Sequence, residues 1–139
     1  EGWTVPTNCS LGNGAMNYTG PAEYANPYFH LNNVSIDASN YDGLEIIMKH
    51  ELKPNTADTT EVAEGTDIRV YYYGTAADGS AIGWAESNTS KVEIGKTSGD
   101  SYVRYYIDLK GKSNWYGSNI TSLRIDPINE NGNFSIDYI

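Results

Sequence analysis

The chain has few of the residues on which several classes of protein depend. Only one of its 139 residues, Cys9, is a cysteine, so it forms no internal disulfide and offers no cluster of thiolates for a metal. Nine Lys and Arg stand against eighteen Asp and Glu, a net charge of -9 that argues against binding to nucleic acid or to an anionic membrane surface. No apolar run approaches the roughly 20 residues that cross a bilayer. The sequence therefore predicts neither a nucleic-acid partner nor a membrane partner.

Sequence motifs for catalysis are also missing. The chain has no nucleophile elbow, no zinc motif and no phosphate-binding glycine loop, and its two histidines, His30 and His50, are isolated in sequence. Glycosidases need a pair of carboxylates, but among eighteen acidic residues such pairs arise by chance. These absences favour a protein that is not an enzyme, with a small jelly-roll lyase or hydrolase as the weaker alternative.

Tyrosine, by contrast, is abundant. Twelve Tyr and three Trp accompany only two Phe. Both side chains bury an apolar body and keep a polar tip in water, so they suit a surface that binds amphipathic ligands. The alternative is a β protein whose sheets are simply rich in tyrosine.

Alternation of apolar and polar residues predicts an all-β fold. The clearest period of two runs through residues 123–126 and 134–138, which predicts two strands joined by a short polar connection. Residues 44–51, 67–74 and 101–109 alternate in the same way. A helix can also be drawn through the first of these three segments, but its flanking Gly and Pro favour a strand.

The spacing of these segments predicts a β-sandwich of the jelly-roll type, with two antiparallel sheets. Eight or nine short strands recur at about ten-residue intervals with almost no helical period. Residues 1–27 are rich in Gly and Pro and are predicted as loop, with a short first strand near Trp3. Residues 28–31 and 34–38 are predicted as two short strands. We expect residues 1–139 to be a single module excised from a larger multidomain protein.

Two predicted strands carry tyrosine and arginine on the face opposite their apolar residues. One set is Arg69, Tyr71 and Tyr73, and the other is Tyr102, Arg104 and Tyr106. Side chains two residues apart lie roughly 7 Å apart on one face of a strand, so each set can offer rings to the apolar faces of sugars and donors to their hydroxyls. The two sets form one groove if their strands share a sheet, or lie apart in opposite sheets. Each set can instead be an ordinary solvated face, where tyrosine is common.

Three further residues have predicted places. Trp84 lies in a loop, where its indole either stacks on a sugar or plugs one end of the sandwich. Trp115 is expected in the core. His30 is a candidate for the rim of the binding site.

The order of the segments LEIIMK, IRVYYYG, YVRYYIDL, WYGSNITSLRIDP and GNFSIDYI resembles a known family. Over about residues 28–139 the chain is similar to the galactose-binding-like β-jelly-roll modules beside catalytic domains in bacterial polysaccharide-degrading enzymes, above all the xylan-binding modules of xylanases. The resemblance implies an extracellular, monomeric module that binds a polysaccharide, xylan or alternatively β-glucan or mannan, and is tethered to a catalytic domain. The alternative function is a structural or adhesive domain of a bacterial surface protein.

The resemblance also implies a structural calcium ion. Asp137 matches the position from which related modules hold calcium, with carbonyls of the N-terminal loop as partners, and hard oxygen ligands suit that ion. Glu1 and Glu23 are poor matches for the acidic partner that the family usually supplies. A strand-end aspartate that binds no metal is the alternative.

Overall fold

The computed structural model describes residues 2–21, 27–83 and 85–139, and this part of the chain contains eleven β-strands. Trp84 lies outside these residues, so the structure does not test its predicted role. The strands are β1 Trp3–Thr4, β2 Cys9–Gly12, β3 Ala15–Thr19, β4 Phe29–Asp37, β5 Gly43–Leu52, β6 Gly65–Thr75, β7 Ala81–Ile82, β8 Thr89–Gly95, β9 Val103–Asp108, β10 Asn119–Asp126 and β11 Gly132–Tyr138. The helical turns among these residues, Ala38–Asn40 and Glu86–Asn88, have three residues each, and no described helix is long and apolar enough to cross a membrane.

The strands form two antiparallel sheets. Sheet A has the order β1-β4-β10-β6-β7, with β8 also paired to β6, and sheet B has the order β2-β3-β11-β5-β9. The predicted β-sandwich is therefore confirmed. Its core lies between the inner faces of the two sheets.

The predicted alternation agrees with burial on both sheets. In β6, Ile68, Val70 and Tyr72 are fully buried. In β5, Ile46 and Met48 are fully buried, and the segment is a strand rather than a helix, as predicted. Because only one face of each strand meets the other sheet, complete burial recurs at every second residue in these segments, although Tyr71 on the outer face of β6 is also only 5% exposed.

Trp115 closes part of the core, as predicted. It is buried, and its ring centre lies 5.2 Å from that of Tyr72 in an edge-to-face arrangement. Its indole N–H donates a hydrogen bond of 2.7 Å to the carbonyl of Tyr41, so the one polar atom of the ring is satisfied.

The prediction of loop through most of residues 1–27 is wrong for a hairpin formed by β2 and β3. Gly12 pairs with Ala15, which leaves the two-residue turn Asn13-Gly14 with φ values of 54° and 78°. Two positive φ values define the type I′ turn that matches the twist of a hairpin, and Asn-Gly is its strongest sequence signal. The short first strand near Trp3 is confirmed as β1.

Residues 29–37 form one strand, β4, where two were predicted. Asn33 interrupts it with a φ of 57°, a value that asparagine tolerates better than most residues. The interruption faces a shift of register between Ile120 and Ser122 in β10. The polar residues that suggested a loop here are a local irregularity inside a continuous strand.

The last two strands lie at the centres of different sheets. In sheet A, β10 runs between β4 and β6, and in sheet B, β11 runs between β3 and β5. The short polar connection between them, predicted from the sequence, carries the chain from one sheet to the other.

Candidate functional site

The two predicted tyrosine and arginine sets lie on opposite sides of the molecule. Tyr71 and Tyr73 belong to β6 of sheet A, and Tyr102 and Tyr106 belong to β9 of sheet B. The single groove that would have joined them does not form. Each outer face must therefore be assessed by itself.

The outer face of sheet A is dominated by an internal network around Arg124. Its guanidinium makes two hydrogen bonds to the carboxylate of Asp126, Nε to Oδ1 at 2.6 Å and Nη2 to Oδ2 at 2.7 Å. The same group lies 4.2 Å from the ring centre of Tyr28 and 5.3 Å from that of Tyr71. Asp126 is only 1% exposed. The pairing compensates a carboxylate that would otherwise be costly to bury.

Arg69 is held in a similar way. Its Nε and Nη2 atoms bind the carboxylate of Asp67 at 2.6 and 3.1 Å, and this hydrogen bonding holds the pKa of Arg69 well above its usual range. Tyr71 is only 5% exposed, so it offers little ring surface to a ligand. The face predicted from Arg69, Tyr71 and Tyr73 is therefore largely occupied with its own contacts.

His30 also lies on sheet A, away from Tyr102 and Tyr106. Its ring is 5.1 Å from that of Tyr28, and its buried Nε2 has no hydrogen-bond partner in the described part of the chain. Burial, and then the charge of Arg124, lower the pKa of His30. With Tyr28 it lines a cavity of about 560 Å³. Pro21 and Pro27 also line this cavity, and residues 22–26 between them lie outside the described part of the chain.

The outer face of sheet B carries an open groove of about 310 Å³. Its floor is formed by β3, β11 and β5, and one side is formed by the connection between β8 and β9. That connection is fixed to β5, because the backbone N–H of His50 donates to Ser98 Oγ at 3.0 Å and Thr97 Oγ1 donates to the His50 carbonyl at 3.2 Å. The polar residues that line the groove include Asn17, Thr19, Lys49, His50, Glu51, Asp100, Asn133 and Ser135.

Tyr102 lies beside this groove and contacts two of its lining residues, Ser135 and Lys49. Its hydroxyl lies 2.8 Å from Ser135 Oγ, which in turn donates to Asn17 Oδ1 at 2.7 Å. Lys49 is its neighbour across the strands, with Nζ 5.4 Å from the ring centre. The residue is 41% exposed, so one aromatic ring and a fixed row of polar groups are presented together.

Further along the same face, Tyr106 and Tyr138 are both exposed. The ring tip of Tyr106 lies over Gly43, where an added Cβ would come within 2.6 Å of Cζ. Arg104 binds the carboxylate of Glu45 at 3.2 Å on the surface and does not line the groove. Tyr102 and Tyr106 thus share a face as predicted, and Tyr102 contacts two residues that line the groove, Ser135 and Lys49.

Sequence reasoning missed several residues of this surface. Asn17 was placed in a loop, although the Asn-Gly turn beside it signals a hairpin. Tyr138 was expected to face inward, but the register shift between Ile136 and Tyr138 turns it outward, opposite Ile47. Alternation did place Lys49 on the outer face, but no local signal shows that residues 97–100 stand beside it.

Asp137 is the residue predicted to help hold a calcium ion. This residue is exposed and lies within the irregularity near the end of β11. Within residues 2–21, 27–83 and 85–139, no three His, Cys, Asp or Glu side chains gather where they could hold a metal ion. Glu1 and Glu23 lie outside these residues, and the calcium ion stays a prediction.

His50, whose backbone anchors the wall of the groove, should make the fold sensitive to acid. Its Nε2 lies 2.8 Å from the Gly95 carbonyl, and burial lowers the pKa of the imidazole, partly opposed by that hydrogen bond. Because the folded-state pKa is the lower one, the unfolded chain takes up the proton first, and stability is lost as the pH falls below the unfolded-state pKa. We expect the melting temperature to fall between about pH 7 and pH 5, and to fall less in His50→Gln. Equal declines in the two proteins would contradict this role.

Comparisons with known proteins give no family. No model of a protein family matches the chain, and no curated protein matches it. Among solved structures, a candidate glycoside hydrolase from Bacteroides vulgatus aligns with a TM-score of 0.43 and 12% identity over 98% of this chain and 75% of that one. A carbohydrate-binding module of promiscuous specificity from the β-sandwich superfamily aligns with a TM-score of 0.40 and 12% identity over 98% of this chain and 55% of that one. Likenesses of this strength say nothing about what the chain binds.

Proposed function

We propose that the chain is a non-catalytic glycan-binding module whose groove on sheet B holds a segment of plant cell-wall polysaccharide, xylan before β-glucan or mannan. The observation that carries this proposal is the exposed ring of Tyr102 beside Ser135 and Asn17, two polar side chains that hydrogen bonds hold in place. An aromatic ring covers the C–H face of a sugar, and fixed polar groups orient its hydroxyls. The volume of about 310 Å³ is near the lower end for small-ligand sites and suits a few sugar units at most.

The module would act through a neighbour. We propose that it does no chemistry and is tethered to a catalytic domain in an extracellular protein, as the sequence resemblance implies. An open groove gains little free energy beyond the cost of ordering the sugar, so we expect a Kd on the order of micromolar to millimolar. The tether then holds the catalytic domain at a high effective concentration near the polymer.

Affinity electrophoresis tests this function directly. The protein is run through native gels that contain xylan, mixed-linkage β-glucan, glucomannan or no polysaccharide. We expect retardation in the xylan gel above all others. Stronger retardation in another gel would keep glycan capture and change the preferred ligand. Unchanged mobility in every gel would contradict the proposal.

The second candidate is a structural or adhesive domain of a bacterial surface protein. The observation that favours it is the outer face of sheet A, where Tyr71 and Arg124 contact each other rather than presenting a binding surface. This function predicts unchanged mobility in every gel.

A structural calcium ion near Asp137 is a separate proposal, drawn from the resemblance alone. Melting curves of the wild type and of Asp137→Asn, each in EDTA and in excess calcium, test it. A rise in melting temperature with calcium that is lost in the variant would support the ion. Identical curves in all four conditions would contradict it.

A further inference from the structure

The hydrogen bonds at the floor of the groove have a fixed direction. The Asn17 Nδ2 group donates to the carbonyls of Gly12 and Ala15, both at 3.3 Å, which orients the amide so that Oδ1 faces Ser135. Since Oδ1 only accepts, Ser135 must give its one hydroxyl proton to Asn17. Ser135 Oγ can then only accept from Tyr102, so the Tyr102 hydroxyl is the donor in their 2.8 Å contact.

This direction leaves no proton in the row for a ligand. Tyr102 and Ser135 have both used their hydroxyl hydrogens, and both amide hydrogens of Asn17 bind backbone carbonyls. What remains for a ligand are lone pairs on Asn17 Oδ1, whose residue lines the groove, and on Tyr102 Oη beside it. Ser135 is only 4% exposed, so water does not readily compete for these bonds, and reversing the row would leave a buried group unpaired.

Donors lie elsewhere around the groove. Asn133 Oδ1 accepts the backbone N–H of Gly20 at 3.1 Å, so its Nδ2 group is the end left for other contacts, and it has no hydrogen-bond partner among the described residues. The ammonium of Lys49 is a second donor. The groove therefore has an accepting part and a donating part.

A free sugar hydroxyl matches such a surface because it both donates and accepts. Neighbouring hydroxyls on one ring can donate to Tyr102 or Asn17 and accept from Asn133 or Lys49. An O-acylated position has lost its proton and can only accept. Facing Tyr102 or Asn17, it would oppose one acceptor with another and leave both without a partner.

From this geometry we propose that the groove selects glycan segments with free hydroxyls and rejects the same segments when they are O-acetylated. The inference rests on the proposed function and adds the state of the ligand that the site accepts. It also places the module in a reaction sequence. On an acetylated polymer, hydrolysis of the ester, which releases acetate and restores the hydroxyl, must precede binding.

The test compares one polysaccharide in two states. Acetylated xylan and acetylated glucomannan are each divided, one half is de-esterified with mild alkali, and the Kd for each half is measured by isothermal titration calorimetry. We expect the acetylated form to bind at least about ten-fold more weakly. Equal affinity for the two forms would overturn this inference and leave the proposed function standing. Binding to neither form of either polymer would overturn this inference, and if mixed-linkage β-glucan is not bound either, it would overturn the proposed function as well.

Two variants separate hydrogen-bond direction from simple crowding by the acetyl group. Ser135→Ala removes the acceptor for the Tyr102 proton, so the phenol can turn and donate to an ester oxygen. Tyr102→Phe removes the accepting oxygen and keeps the ring. In both variants we expect the Kd for the acetylated form to exceed the Kd for the de-esterified form by about three-fold or less. An unchanged ratio of these two Kd values in both variants would show that the discrimination is steric and would overturn the proposed cause.

Matched controls exist on the other sheet and in an exposed loop. Ser122 makes the same kind of bond as Ser135, its Oγ donating to Asn32 Oδ1 at 2.7 Å, but on sheet A. Tyr116 is exposed and outside the groove. Ser122→Ala and Tyr116→Phe should keep the wild-type ratio. If Ser135→Ala does not fold, judged by its melting curve, Tyr102→Phe still decides the question.

Discussion

Replacing Arg124 by methionine should lower the free energy of unfolding by about 3 to 5 kcal/mol. The substitution keeps most of the apolar length of the side chain and removes the guanidinium. Asp126, which is almost fully buried, would then be a charged carboxylate without its bidentate partner. Breaking a buried ion pair on one side is costly because the remaining charge is not compensated. Urea denaturation followed by tryptophan fluorescence measures the loss.

A surface pair provides the control for this result. Arg104 binds Glu45 at 3.2 Å with its side chain 68% exposed, so Arg104→Met should cost no more than about 1 kcal/mol. The double substitution of Arg124→Met with Asp126→Leu should recover much of the loss, because no charge is left buried. A loss for Arg124→Met as small as that of the Arg104 control would show that the buried pair does not stabilise the fold.

Replacing Tyr102 by alanine should weaken glycan binding by about 1 to 3 kcal/mol, on the scale of aromatic stacking measured for nucleic-acid bases. The substitution removes both the ring beside the groove and the hydroxyl bound to Ser135. The melting temperature should change little, because much of this side chain is exposed and Ser135 keeps its bond to Asn17. Calorimetric titration with the glycan selected by the gels, together with a melting curve, measures both quantities.

Substitutions of two other tyrosines measure how far the bound ligand extends along the sheet. Tyr106→Ala should also weaken binding if the polysaccharide runs past the groove along sheet B. Tyr116→Ala, which removes an exposed ring elsewhere, should leave binding unchanged. Unaltered affinity in Tyr102→Ala would remove the main support for the proposed site. Joint loss of folding and binding would instead assign Tyr102 to the core.

The sandwich was predictable because the alternation of apolar and polar residues along a short segment shows which face of a strand is buried. Ile68, Val70 and Tyr72 alternate with polar residues, and all three are buried. The same reasoning separated the tyrosine and arginine sets from the core. It could not assign strands to sheets, because pairing joins residues far apart in sequence. That Tyr71 and Tyr102 lie on opposite sides of the molecule could therefore not be predicted.

The candidate groove was predictable only in part. Tyr102 was identified from its position on an outer face. Asn17 could have been found, since the Asn13-Gly14 turn predicts the hairpin that carries it. Ser135 had no distinguishing signal, because its role depends on two neighbours that come from separate parts of the chain. Tyr138 depends on a register shift that alternation cannot show.

The positions of β10 and β11 have a consequence for how the protein is made. Until residues 119–138 have left the ribosome, β4 and β6 lack the strand that joins them, and so do β3 and β5. Before that point neither sheet can be completed, and apolar strands such as β5 lack one of their pairing strands. Apolar strands with an unpaired edge make folding intermediates prone to aggregation. During synthesis the nascent chain should therefore stay sensitive to protease until its last strands emerge, and then become protected in a single late step.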